Sequence, residues 1–83
     1  MPYITQSNRV DIDYRLGPLL EFISSPGDAN YVITQVLRKA FDYSHYSDFN
    51  AAIGILECCK LEMYRRAVAP YEDQKIRENG DVY

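Results

Sequence analysis

Between Phe49 and Met63 the chain carries apolar side chains almost all the way round a helix, and a short protein has little with which to hide such a segment. Phe49, Ala52, Ile53, Leu56, Cys59, Met63 and Ala67 recur at helical spacing as one stripe, and Ala51, Ile55, Cys58 and Leu61 add a second. A helix that is apolar on more than one side must be covered on more than one side. The 83 residues make a single domain, 1–83. A chain of this mass buries roughly 60–65% of the surface that its unfolded form exposes. Two short neighbouring helices cannot cover both stripes. The sequence therefore predicts a homo-oligomer, most simply a two-fold dimer pairing through Phe49, Ala52, Ile55, Leu56, Cys59 and Met63. The competing arrangement lays the N-terminal arm over the second stripe.

The remaining pattern predicts an all-α fold, a small helical hairpin or three-to-four-helix bundle with a short irregular N-terminal arm. Residues 1–17 form the arm, 18–79 the helices and 80–83 a C-terminal tail. Gly17-Pro18 reads as a helix start, since proline at the first helical position loses no hydrogen bond. Ser24-Ser25-Pro26-Gly27 reads as a stop. Asp28 is then a cap for a helix from about Ala29 to Phe41, whose apolar set includes Val32, Ile33, Val36 and Leu37. Asp42 to Tyr46 reads as a loop, and Ser47 or Asp48 as the cap of the long helix, which runs to about Ala69. Pro70 breaks or kinks it. A last helix, Tyr71 to Glu78, has acids early and bases late, with Gly80 as its C-terminal cap.

Charge and cysteine content narrow the function classes. The net charge is −3, so no domain-wide basic field exists to attract nucleic-acid phosphates. Cys58 and Cys59 are neighbours, about 100° apart on a helix, and cannot bridge each other there. They read as small reduced core residues, which suits the cytoplasm. With His45 the one histidine, a zinc site lacks partners, and neither metal nor cofactor is expected. The opening residues lack a basic start and an apolar run, and no stretch approaches a membrane span. A cytoplasmic protein without a membrane partner is the expectation.

The opening Met1-Pro2-Tyr3-Ile4, the run Asn30-Tyr31-Val32-Ile33-Thr34, the segment Asn50 to Arg66 and the ending from Pro70 to Tyr83 carry a resemblance. Together they resemble a family of small uncharacterised proteins of bacterial, archaeal and tailed-phage genomes. The resemblance covers nearly the whole chain and is most specific in the ending. It implies a prokaryotic or phage setting, the host cytoplasm if phage-encoded, and brings no mechanism.

Three groups of residues could carry function. Lys60 and Tyr64 share a helical face, Arg65 and Arg66 follow, and Tyr71 lies just past the proline. Arginine forks grip phosphate or carboxylate and tyrosine rings stack on bases, so this group could hold a small anionic ligand, a nucleotide by preference. Asn30 and Tyr31 could join it. The plain alternative is a surface pair of Glu62 with Arg66 and a tyrosine filling a kink. The acids Glu57, Glu62, Glu72 and Asp73 would serve a metal-dependent nucleotide hydrolase, but Glu57 and Glu62 point about 140° apart on one helix. Eight tyrosines suit an interaction surface, or fill a core that has no tryptophan. The leading expectation is a non-enzymatic, self-associating binding protein of phage or prokaryotic type that holds a small anionic ligand, a nucleotide by preference. The alternatives are a module that modulates a host or phage protein, and the hydrolase.

Overall fold

Thr5 closes the amino end of the first helix. Its hydroxyl accepts the Asn8 amide at 3.3 Å, and the chain runs helical from Gln6 to Phe22 (α1). The computed structural model describes residues 3–83; Met1 and Pro2, quoted above for the resemblance, lie outside the described residues. Of the irregular arm expected over residues 1–17, the part from Gln6 onward is helical instead, and among the described residues only Tyr3, Ile4 and Thr5 precede the helix. Nothing from Gln6 to Leu16 breaks a helix, and Thr5 supplies a cap that β-type composition does not reveal. Pro18 lies inside α1 instead of opening a helix. The glycine before it has no Cβ to strike the proline ring, which eases the conflict with the preceding residue, while the Tyr14 carbonyl gets no donor from Pro18.

The expected stop at Ser24–Gly27 is a corner at which the next helix begins. Pro26 opens α2 (Pro26–Ala40), and Ser25 caps it by accepting the Asp28 amide at 3.1 Å. The cap expected at Asp28 therefore sits three residues earlier. Asp28 holds the corner from inside the first turn, its carboxylate accepting the Ser24 amide at 3.1 Å and the Ser24 hydroxyl at 3.2 Å. The Ser24 amide bond is the main cause that keeps this carboxyl below the usual aspartate range. A lowered value means that the stabilisation is present above the ordinary aspartate range and disappears as pH falls through the lowered value. An acid titration followed at the Ser24 amide by NMR should give a midpoint below that of an unperturbed aspartate; an ordinary midpoint would refute the contact.

By its internal contacts the chain separates into two compact units, residues 1–42 and 43–83. The second opens on Tyr43, whose φ of 57° lies in the left-handed region that most side chains avoid. Its ring packs on Phe49 with centroids 5.0 Å apart. The unit's first helix, α3 (Tyr46–Met63), starts after His45, whose backbone N–H donates to the Asp48 carboxylate at 3.2 Å. Asp48, one of the two expected caps, acts from within the first turn.

At Pro70, where a break or a kink is expected, the chain stays helical and the irregularity is a widened turn just before the proline. The chain passes from α3 into a single π-turn, Tyr64–Val68, and then into α4 (Ala69–Asn79), with Pro70 in its first turn. Proline would lack a donor for the Arg66 carbonyl and would press its ring against it. Widening the turn by one residue removes that conflict, and the Ala69 N–H reaches back to the Tyr64 carbonyl instead. Gly80 ends α4 with φ of 87°, its N–H on the Ile76 carbonyl at 2.8 Å, as its position predicts. Among the described residues there is no strand, which agrees with the all-α expectation.

The core is thin. Among the described residues Ala52, 6% exposed, is the one buried apolar side chain. Cys58 and Cys59, expected in the core, are exposed and reduced, because no element of their own unit covers α3 along their side. A Cβ added at Gly54 would meet no atom within 4 Å, so no close helix approach within its own unit uses that glycine. Gly54→Ala should therefore stabilise the lone chain by about 0.5–1 kcal/mol, read from urea unfolding at low concentration. A destabilised variant would mean that something packs there.

Candidate functional site

The site predicted at the end of the long helix is built on the π-turn. Lys60 lies in the last turn of α3, Tyr64, Arg65 and Arg66 form part of the π-turn itself, and Tyr71 stands in the first turn of α4. These side chains do lie along one stretch of helix, and all are exposed. Their charges are not left open.

Each cation has a carboxylate beside it. Lys60 pairs with Glu57 at 3.0 Å. Arg65 donates to both oxygens of Glu62, at 3.1 and 3.3 Å, and Arg66 reaches the same carboxylate at 3.5 Å. The surface pair expected between Glu62 and Arg66 is thus joined by a shorter one to Arg65. The hydrogen bond from Arg65 is the main reason that the Glu62 carboxyl falls below its usual range. Exposed pairs of this kind, screened by solvent, add little to stability.

Tyr64 spans the turn, its hydroxyl donating to the Glu72 carboxylate at 3.2 Å from either oxygen. The Glu72 charge, and then this bond, push the phenol above its ordinary value. Spacing alone hides this pair, because residues eight apart are not neighbours at ordinary helical pitch. Tyr71 lies under the Lys75 ammonium, 5.5 Å from the ring centre, and Lys75 also pairs with Glu78 at 3.2 Å. The predicted cluster is therefore a net of local ion pairs across a widened turn.

The acidic set is dispersed among these pairs. Glu57, Glu62 and Glu72 answer to Lys60, to the arginines and to Tyr64 respectively. Among the described residues no three His, Cys, Asp or Glu side chains are placed to hold a metal ion. Asn30 and Tyr31 belong to α2 in the first unit, where the Asn30 carbonyl accepts the Thr34 hydroxyl at 2.9 Å. Tyr31 borders an apolar hollow of about 580 Å³ along α2, which sequence spacing does not single out as a site. The last residues fold back only locally: the Tyr83 amide donates to Asp81 at 3.0 Å, beside a shallow hollow over Ile76 and Lys75.

The predicted assembly stripe lies open. Phe49 is 52% exposed, Ile53 65% and Met63 68%, with Ile55, Leu56 and Cys59 also exposed. No helix among the described residues is long and apolar enough to cross a membrane. A family model described as a domain of unknown function, DUF6899, matches residues 1–82. No curated protein and no solved structure matches the chain.

Proposed function

The chain belongs to that family of unknown function, and we propose that it is a self-associating helical interaction module whose assembly surface is the open stripe of α3. One observation carries this reading. The stripe from Phe49 to Met63 is apolar, regular in spacing and exposed, with only Ala52 sunk beneath it. Leaving such a stripe in water forfeits roughly 25 cal/mol for every Å² that a second helix would cover. A copy of the same chain brings an identical stripe, so a two-fold pairing satisfies both at once.

A small anionic ligand at Lys60, Tyr64, Arg65, Arg66 and Tyr71 is less well supported by the geometry. It would have to displace Glu57, Glu62 and Glu72 from partners they already hold. The setting we propose is the prokaryotic or phage cytoplasm, where exposed Cys58 and Cys59 stay reduced. A protein bound by the assembled stripes, of host or phage, would be its further partner.

Light scattering across a concentration series tests the reading. The expected result is a mass at or above twice that of the 9.6 kDa chain at micromolar concentration, falling on dilution. A mass of one chain at every concentration would overturn it. A panel of nucleotides added to the same samples should leave the melting temperature unchanged; a rise that saturates with one of them would restore the ligand reading.

A further inference from the structure

The first unit carries a second apolar face that α3 does not explain. Along α2, Tyr31, Val32, Gln35, Val36 and Lys39 line an open hollow of about 580 Å³, with Leu19 of α1 as its far wall. A second hollow, about 230 Å³, continues it past Tyr31 and Val32 to Phe22, Ile23 and Asp28. The two share Leu19, Tyr31 and Val32, so they form one groove running the length of the helix.

The ends of this groove are oppositely charged. Asp28 closes one end, and its Ser24 hydrogen bonds fix it there. Lys39 closes the other. Positions 28 and 39 are about three helical turns apart, close to the same angular position and roughly 16 Å from each other. A helix laid antiparallel in the groove would fit if its own face ran from an acid to a base over three turns, with mainly apolar residues and one amide between. This α2 is such a helix.

We propose that the groove is filled by α2 of a second copy, the two helices antiparallel about a two-fold axis between Ile33 and Thr34. That placement sets Asp28 of each chain beside Lys39 of the other. Tyr31 lies opposite Val36, a large ring over a small side chain, and Val32 opposite Gln35. The contact is isologous, every pair occurring twice. It rests on the self-association reading above and adds to it a second interface, on a separate unit of the chain. A partner carrying a single kind of charge would match only one end of the groove.

Charge exchange tests it. Lys39→Glu sets two carboxylates against each other at both ends of the seam, and Asp28→Lys sets two ammonium groups against each other. Each variant alone should weaken association through this face by about tenfold or more. Mixed in equal amounts, the two restore opposite charges at both ends and should associate as the unaltered protein does. The measurement is sedimentation velocity, made both in the wild-type background and with Ile53→Asp removing the α3 stripe. Because Asp28 also holds a helix corner, a second measurement guards against misfolding. Tyr31→Cys with Val36→Cys, in a Cys58→Ser and Cys59→Ser background, should oxidise to a covalent dimer. Unchanged association in Lys39→Glu, no recovery on mixing, or no covalent dimer would overturn the proposal. Loss of association with Ile53→Asp but not with Lys39→Glu would sink this inference and leave the α3 reading standing. A wild-type protein that never exceeds one chain would sink both.

Discussion

Ile53→Asp should separate copies joined through α3 while leaving each copy helical. Ile53 is 65% exposed in the lone chain, so an aspartate there meets water and costs only the difference in helix propensity from isoleucine, roughly a few tenths of a kcal/mol. In a paired stripe the same carboxylate would be trapped against apolar side chains without a partner. Removing it from water there costs several kcal/mol, so the association constant of that step should fall about a hundredfold or more. Light scattering reads the loss of association and far-ultraviolet circular dichroism the retained helix. Ala52→Asp is the contrasting control: at 6% exposure it should damage the fold itself. If Ile53→Asp leaves the mass unchanged at the concentrations where the wild type associates, α3 is not the assembly surface.

The second large effect is expected at Pro70. Alanine there supplies the missing N–H for the Arg66 carbonyl and removes the ring that forces the wide turn. The π-turn should revert to ordinary helix, with a gain in stability of about 1–3 kcal/mol, judged from proline's penalty in helix interiors. Reversion rotates α4 by about 100° relative to α3 and parts Tyr64 from Glu72. The phenol would lose the charge and the hydrogen bond that raise it. In the wild type its contribution is complete below the ordinary tyrosine value and is lost as pH climbs through the raised one. NMR of ring-labelled tyrosine should show the Tyr64 signal titrating above the ordinary tyrosine value, and in Pro70→Ala that signal should fall back towards it. A variant that keeps both the raised titration and the wild-type stability would show that the turn is not caused by the proline.

Much of the helical outline can be read from the residues, and the departures share a cause. Apolar periodicity locates α2 and α3, and Gly80 marks the end of α4. The departures lie at prolines and caps. Pro18, Pro26 and Pro70 each read as punctuation in the sequence, yet each sits within a helix or in its first turn. Pro26 fits because a first helical position needs no donor, Pro70 fits because the turn before it widens, and Pro18 is eased on its preceding side by a glycine. None of these is visible to a rule that treats proline alone. The cysteines depart from expectation for a different reason. Small apolar residues on an apolar helix imply a core only if something in the chain reaches them, and both thiols are exposed. The candidate site is legible in position and not in state. Spacing gathers Lys60, Tyr64, Arg65, Arg66 and Tyr71 along one stretch and already offers Glu62 to Arg66, whereas the bond from Tyr64 to Glu72 becomes evident only with the turn that brings the two together.

That wide turn also works as a ruler. A neighbouring helix that follows the grooves of α3 must fall out of step at Tyr64, because the extra residue swings every later side chain onto a different bearing. Close side-by-side packing is thereby limited to the 18 residues of α3, about 27 Å of rod. In the pairing proposed for α3, the polar stretch from Tyr71 onward would turn aside from the seam and stay accessible.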